Sequence, residues 1–146
     1  MNFVEIKTPL VNADIAAVEG ELGFLLPITI RGHYLQWRSG KREPSFFGQP
    51  LYACVHDVLP LIAEGDDDST VAAYRSLVEE NQFMPPGWLP FATDPGGDYF
   101  FVDCSKRDGH VALFRADYWP DDLERCRVDS GVDFVGFWEK LEDEPG

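Results

Sequence analysis

Positive charge is scarce in this chain: 12 Lys and Arg stand against 26 Asp and Glu over 146 residues, a formal net charge of −14 at pH 7. Direct nucleic acid binding and anionic membrane binding are therefore not expected, because phosphate contacts depend on Lys and Arg that displace counterions. A basic partner is what such a field attracts. No apolar run approaches the ~20 residues needed to span a bilayer. Met1 to Leu10 has no basic stretch followed by an apolar one, so a cytoplasmic location is expected. Cysteine is limited to Cys54, Cys104 and Cys126, an odd and widely spaced set that suits reduced thiols better than a disulfide framework. The histidines, His33, His56 and His110, lie far apart, and HExxH, CxxC, GxSxG and GxxxxGK(S/T) patterns are absent. Neither a metal, a cofactor nor a catalytic residue is expected, and the chain reads as a non-enzyme.

Apolar material is plentiful. Hydrophobic residues make up 45% and aromatic residues 14% of the chain, enough for a core and against a disordered acidic polymer. The length fits one domain over residues 1–146. Ile15, Val18 and Leu22 recur at helical spacing, with Asn12 as a cap and Gly23 as a terminator, which predicts a helix over 12–22. Pro27 suits the first turn of a second helix carrying Ile30, Tyr34 and Trp37. Leu22, Leu26, Tyr34 and Trp37 are expected to be buried where this helix pair meets a sheet. Phe46 to Val55 reads as one or two short strands, and Asp57 as the cap of a short helix with Val58, Leu59 and Ile62. Ser69 or Thr70 caps a further helix carrying Val71, Tyr74, Leu77 and Val78, ending near Gln82.

Met84-Pro85-Pro86-Gly87 separates this helical half from a strand-rich one. Trp88 to Ala92, Asp98 to Cys104 and His110 to Arg115 read as strands, the last two joined into a hairpin at Asp108-Gly109. A short strand over Leu123 to Val128 precedes a closing helix with Phe134, Phe137, Trp138 and Leu141 on one stripe. The expected fold is α+β: a twisted antiparallel sheet with helices packed against it, an N-terminal helix pair and a closing C-terminal helix.

Two groups of residues invite a functional reading. Asp94-Pro95-Gly96-Gly97-Asp98, with Asp103 downstream, clusters carboxylates beside glycines, but its spacing matches no cation loop, and a Gly-rich turn is the favoured reading. Asp98 and Asp103 have opposite strand parity, which argues against one shared catalytic site. Carboxylates also lie beside aromatic rings, as with Asp98, Asp103 and Tyr99, and within Asp117-Tyr118-Trp119-Pro120-Asp121-Asp122. Large rings in a negative field suit protein docking, so Asp98, Tyr99, Asp103, Tyr118, Trp119, Asp121 and Asp122 are the expected partner-binding residues. The alternative is that Trp119 covers the core while the acids solvate the surface.

Two stretches resemble the SUKH superfamily, which includes bacterial immunity proteins and fungal cell-wall regulators of the Smi/Knr type. One is Glu21-Leu22-Gly23-Phe24-Leu25-Leu26-Pro27 with Tyr34-Leu35, similar to the family's helix, Leu-Gly-x-x-Leu-Pro turn and second helix. The other runs from Leu89-Pro90 through Asp94-Pro95-Gly96-Gly97-Asp98 to Asp103, similar to its proline-led strand, glycine-aspartate turn and next strand. Leu22, Gly23, Leu26, Pro27 and Gly97 carry the motif. Arg38-Ser39-Gly40 departs from the Asn-Gly-Gly common after the second helix, and Ile30 stands where an aromatic is common. The resemblance implies a non-enzymatic immunity protein that binds and neutralises a cognate toxin domain. A nuclease-like toxin must bind phosphate and tends to be basic, in accord with the acidic charge. The alternative that the resemblance leaves open is a regulatory or scaffold role of the Smi/Knr cell-wall type.

Overall fold

The computed structural model describes residues 2–3, 11–36, 42–43, 45–62 and 69–142. Two residues near the N-terminus, β1 (Asn2–Phe3), pair antiparallel with β2 (Arg42–Glu43). Helix α1 (Asn12–Leu22) buries Ile15 and Val18, as their spacing requires. Its N-cap is Val11 rather than Asn12: the Asp14 carboxylate reaches back to the Val11 N–H at 3.0 Å, and that bond sets the start. Gly23 terminates α1 at φ 84°, a left-handed conformation that favours glycine. The buried Glu19 carboxylate then accepts the Leu26 N–H at 2.7 Å, fixing the turn into α2 (Ile28–Gln36). Pro27 precedes α2 and its carbonyl accepts from the Ile30 and Arg31 N–H groups. Leu26, Ile30 and Tyr34 are buried and Leu22 is half-buried against the core, while Trp37 lies outside the described residues.

A small hairpin, β3 (Phe46–Phe47) with β4 (Ala53–Cys54), realises the expected strands over 46–55. The helix expected after Asp57 does not form. Instead β5 (Asp57–Val58) pairs with the next long strand, and Val58, Leu59, Pro60 and Leu61 are buried in a segment without helical turns. The Leu59 N–H bonds the Phe91 carbonyl across the sheet, and the Pro60 and Leu61 carbonyls accept from the Thr70 and Val71 N–H groups, so this all-apolar run is satisfied by its neighbours rather than by its own turns. Ser69 caps α3 (Thr70–Tyr74) through the Ala72 N–H, and the same helix widens to π-type over Arg75–Glu80, ending close to the expected place.

The main sheet has five antiparallel strands in the order β5, β6 (Trp88–Thr93), β7 (Tyr99–Asp103), β8 (His110–Phe114), β9 (Arg127–Asp133). β7 and β8 are joined across residues 104–109, a longer turn than Asp108-Gly109 alone, with Gly109 at φ 71°. The strand expected over Leu123 to Val128 is divided. One helical turn, α4 (Leu123–Cys126), is capped by Asp122, and β9 starts only at Arg127. Asp133 caps the closing helix α5 (Phe134–Glu139), and Leu141 is buried just beyond it.

Strand alternation gives the sheet two unlike faces. Phe100 and Val102 point toward the helices: the Phe100 ring lies 5.3 Å from that of Phe137 on α5. Phe91, two residues on from Leu89, which stands opposite Val102, lies on this side too, and its ring meets Phe134, Phe137 and Trp138 at centroid separations of 5.2 to 5.7 Å. Tyr99, Phe101, Asp103, His110, Ala112 and Phe114 share the opposite face, where Phe101, Asp103, Ala112 and Phe114 are buried too. The α+β architecture, with a helix pair first and a helix last, is the one expected. No described helix is long and apolar enough to cross a membrane.

Two measurements probe this core. Leu26→Ala, at a site 4% exposed, should cost about 2–5 kcal/mol in denaturant unfolding. His33 is packed parallel to Trp138 and edge-on to Tyr34 and Phe134, and burial pushes its imidazole down to about 4 from the usual 6.5. The unfolded chain therefore takes up a proton that the folded chain refuses. Stability should be full above pH 6.5 and fall as the pH drops toward 4, by up to about 3 kcal/mol. His33→Phe should flatten that part of the pH-stability profile.

Candidate functional site

The acids and aromatic rings singled out in the sequence divide between the two ends of β7. At one end the chain turns between β6 and β7. Asp94 Oδ1 accepts from the Gly96 and Asp98 N–H groups at 3.0 and 2.9 Å, and Gly97 sits at φ 91°. The stretch is thus the Gly-rich turn that its composition favours, with the Asp94 carboxylate closing it. Asp98, half-buried, accepts the Ala116 N–H at 3.1 Å, which ties this turn to the segment after β8. Burial raises the Asp98 carboxyl above its usual range, and the negative charges of Asp94 and Asp117 add to the effect.

The segment after β8 brings the other residues to the same end. A helical turn, Ala116–Tyr118, leads to Trp119 and then to α4. Tyr118 is 38% exposed, with the Arg125 guanidinium 5.8 Å from its ring centroid. Asp121 is exposed, and Asp122 both caps α4 and meets Arg125 Nε at 3.4 Å. Trp119 is half-buried. Its ring packs on Phe83 at 5.1 Å and Phe114 at 6.0 Å, and Arg127 lies 5.6 Å over it. Trp119 therefore covers core as well as edging the surface, whereas Tyr118 is the more available ring. Tyr99, half-buried, sits one residue beyond Asp98.

Asp103 stands at the other end of β7, about 16 Å away at ~3.3 Å per residue. It is 7% exposed, and its Oδ1 accepts from the Ser105 N–H at 3.0 Å and the Ser105 hydroxyl at 2.6 Å. That carboxylate shapes the β7–β8 turn and is not grouped with Asp98. Burial pushes the Cys104 thiol up to about 12, and raises the Cys126 thiol as well, so both stay protonated near neutrality and suit packing rather than attack. Among the described residues no group of three or more His, Cys, Asp or Glu is arranged to hold a metal.

Sequence reasoning passed over a second feature. On the sheet face away from the helices, a groove of about 240 Å³ runs between Met84, Trp88, His110, Ala112, Arg127 and Asp129. The cross-strand register aligns Trp88 with Asp103, Asp103 with His110, and Ala112 with Asp129, so residues far apart in the chain share one face. His110 Nε2 meets Asp129 Oδ1 at 2.5 Å, and the Gly131 N–H donates to the same oxygen at 2.7 Å. That backbone bond first, and His110 second, hold the Asp129 carboxyl below its usual range. Arg127 Nε donates to the Phe83 carbonyl at 2.9 Å, joining the groove to the Trp119 cluster. The two-residue spacing of Arg127 and Asp129 is the sequence signal for this shared face, but it points to the groove only once β9 is in register with β8.

These features define an α+β domain whose helices seal one face of an antiparallel sheet and whose other face ends in acids and aromatic rings. The chain belongs to the SMI1 / KNR4 family (SUKH-1), which matches residues 9–134. Neither the curated proteins nor the solved structures yield a match. The matched span takes in the Gly23 turn, the Asp94–Asp98 turn and the whole segment from Tyr118 to Asp122.

Truncating the two neighbouring rings should separate cover from surface. Trp119→Ala should destabilise the fold by about 1–3 kcal/mol, since it strips a ring from Phe83 and Phe114. Tyr118→Ala should stay within about 0.5 kcal/mol of the parent in the same unfolding measurement.

Proposed function

We propose that this protein is a non-enzymatic immunity-type member of its family that binds and neutralises a cognate, basic toxin domain. Family membership is consistent with both immunity-type and Smi/Knr-type regulatory roles. The observation that favours the first is the gathering of Asp94, Asp98, Asp117, Asp121 and Asp122 around Tyr118 and Trp119, in a chain of net charge −14. A nuclease-like domain presents Lys and Arg where it holds phosphate. An acidic end with a solvent-facing tyrosine attracts such a surface at long range and offers contact area at short range. In this reading Asp98, Tyr99, Tyr118, Trp119, Asp121 and Asp122 form the docking surface. Asp103 acts through the turn that it holds, and the partner's active site is covered rather than altered chemically.

The test is co-expression with the toxin encoded beside the gene, in the cytoplasm where this reading places both proteins. The chain should restore growth; equal killing with and without it overturns the reading for that pair. In surface plasmon resonance the association rate should fall as salt rises past 0.1 M, where screening acts over ~10 Å. Asp98→Lys should slow association about tenfold at low salt, and Tyr118→Ala should mainly hasten dissociation. A salt-independent association rate overturns the electrostatic part.

A further inference from the structure

The groove between Met84, Trp88, His110, Ala112, Arg127 and Asp129 lies outside the acidic end just described, and its chemistry is different. Its walls are apolar where Met84, Trp88 and Ala112 contribute, and one carboxylate stands at its mouth. The Asp129 side chain is 71% exposed. Both hydrogen bonds that hold this carboxylate, from His110 and from the Gly131 N–H, end on Oδ1, so its orientation is set by one oxygen while Oδ2 faces no described donor. Arg127, the cation nearest in sequence, is drawn aside by the Phe83 carbonyl and the Trp119 ring. A pre-oriented carboxylate oxygen beside an apolar trough is complementary to a side chain with a long methylene stem and a cationic head.

We propose that this groove takes an exposed arginine of a basic protein partner, its guanidinium on Asp129 Oδ2 and its stem along Ala112 and Met84. The identity of the partner rests on the function proposed above; the preference of the groove for arginine does not. Guanidinium is chosen over ammonium because it is more weakly hydrated and lies flat against apolar and aromatic walls. From β6 to β9 the groove crosses three strand spacings, about 14 Å. The Trp88 end therefore receives the apolar residue next to that arginine. Docking here places the partner over the Trp88 to Asp129 part of the sheet face opposite α5, with Arg127 linking the groove to Trp119.

The preference can be read without any partner. In an amide-resolved NMR titration, N-acetyl-arginine amide should shift the Trp88 indole N–H and the Ala112 and Asp129 amides. N-acetyl-citrulline amide, its neutral counterpart, should leave them unmoved. Asp129→Asn retains an acceptor for the Gly131 N–H and should weaken the response at least about tenfold. Equal shifts from citrulline, an unchanged response in the variant, or shifts confined to the Asp94–Asp122 end would each overturn the proposal. With a toxin that binds the parent chain, Asp129→Asn should also lower affinity at least about tenfold, and full affinity would remove the groove from the interface. A chain that takes the arginine probe but leaves the neighbouring toxin unbound overturns the immunity reading alone.

Discussion

The packing of aromatic rings between the sheet and its helices is the constraint on which the other features rest. Phe91 is the centre of it, meeting Phe100 from the neighbouring strand and Phe134, Phe137 and Trp138 from α5. Edge-to-face contacts of this kind reward one relative placement of sheet and helix more than aliphatic packing does. Phe91 joins them because it shares strand parity with Leu89, which stands opposite Val102 on the same side. His33 and Tyr34 bring α2 to the same cluster, the Tyr34 hydroxyl donating to the Leu59 carbonyl at 3.0 Å. A polar atom so deeply placed is tolerated because it is bonded.

Sealing one face so completely leaves the other free to differ. Phe101 and Phe114 are still buried there, with their rings 6.3 Å apart and the Phe83 and Trp119 rings packed on Phe114. Around that cover the surface is acidic, and its carboxylates are anchored. Asp94, Asp98, Asp122 and Asp129 each accept a backbone N–H, so their charges are held in place instead of swinging on free side chains. Fixed charge costs less to organise when a partner arrives, which is the condition under which a negative field yields selectivity as well as speed.

Much of the fold was legible because periodicity and burial agree. Helices α1 and α5 each bury the stripe that their spacing marks, and the three central strands, rich in apolar residues, are buried on both faces. The misread segments have different causes, one a tertiary pairing and one a local cap. Val58 to Leu61 is uniformly apolar, and such a run has no period to distinguish strand from helix. Leu123 to Cys126 looked extended until Asp122 capped it, and β9 was obscured by Ser130-Gly131 in a strand rich in Asp. The acidic end was legible from Asp98 and the Tyr118–Asp122 loop, since both lie within short stretches. The burial of Asp103 was not, because it depends on what folds over the β7–β8 turn. Nor was the groove, whose walls come from three separate stretches that only strand register brings together.

The two outermost strands of the main sheet carry one more consequence. β5 contributes only Asp57 and Val58, and β9 is interrupted where three residues, Ser130, Gly131 and Val132, stand opposite the single Val111. The Ser130 hydroxyl turns inward to the Val111 carbonyl and Gly131 takes φ 80°, so the strand bends away from a straight ribbon. A sheet whose margins are too short on one side and too crooked on the other offers no flat template for a second sheet to extend. Such margins work against edge-to-edge growth of crowded copies into stacked ribbons.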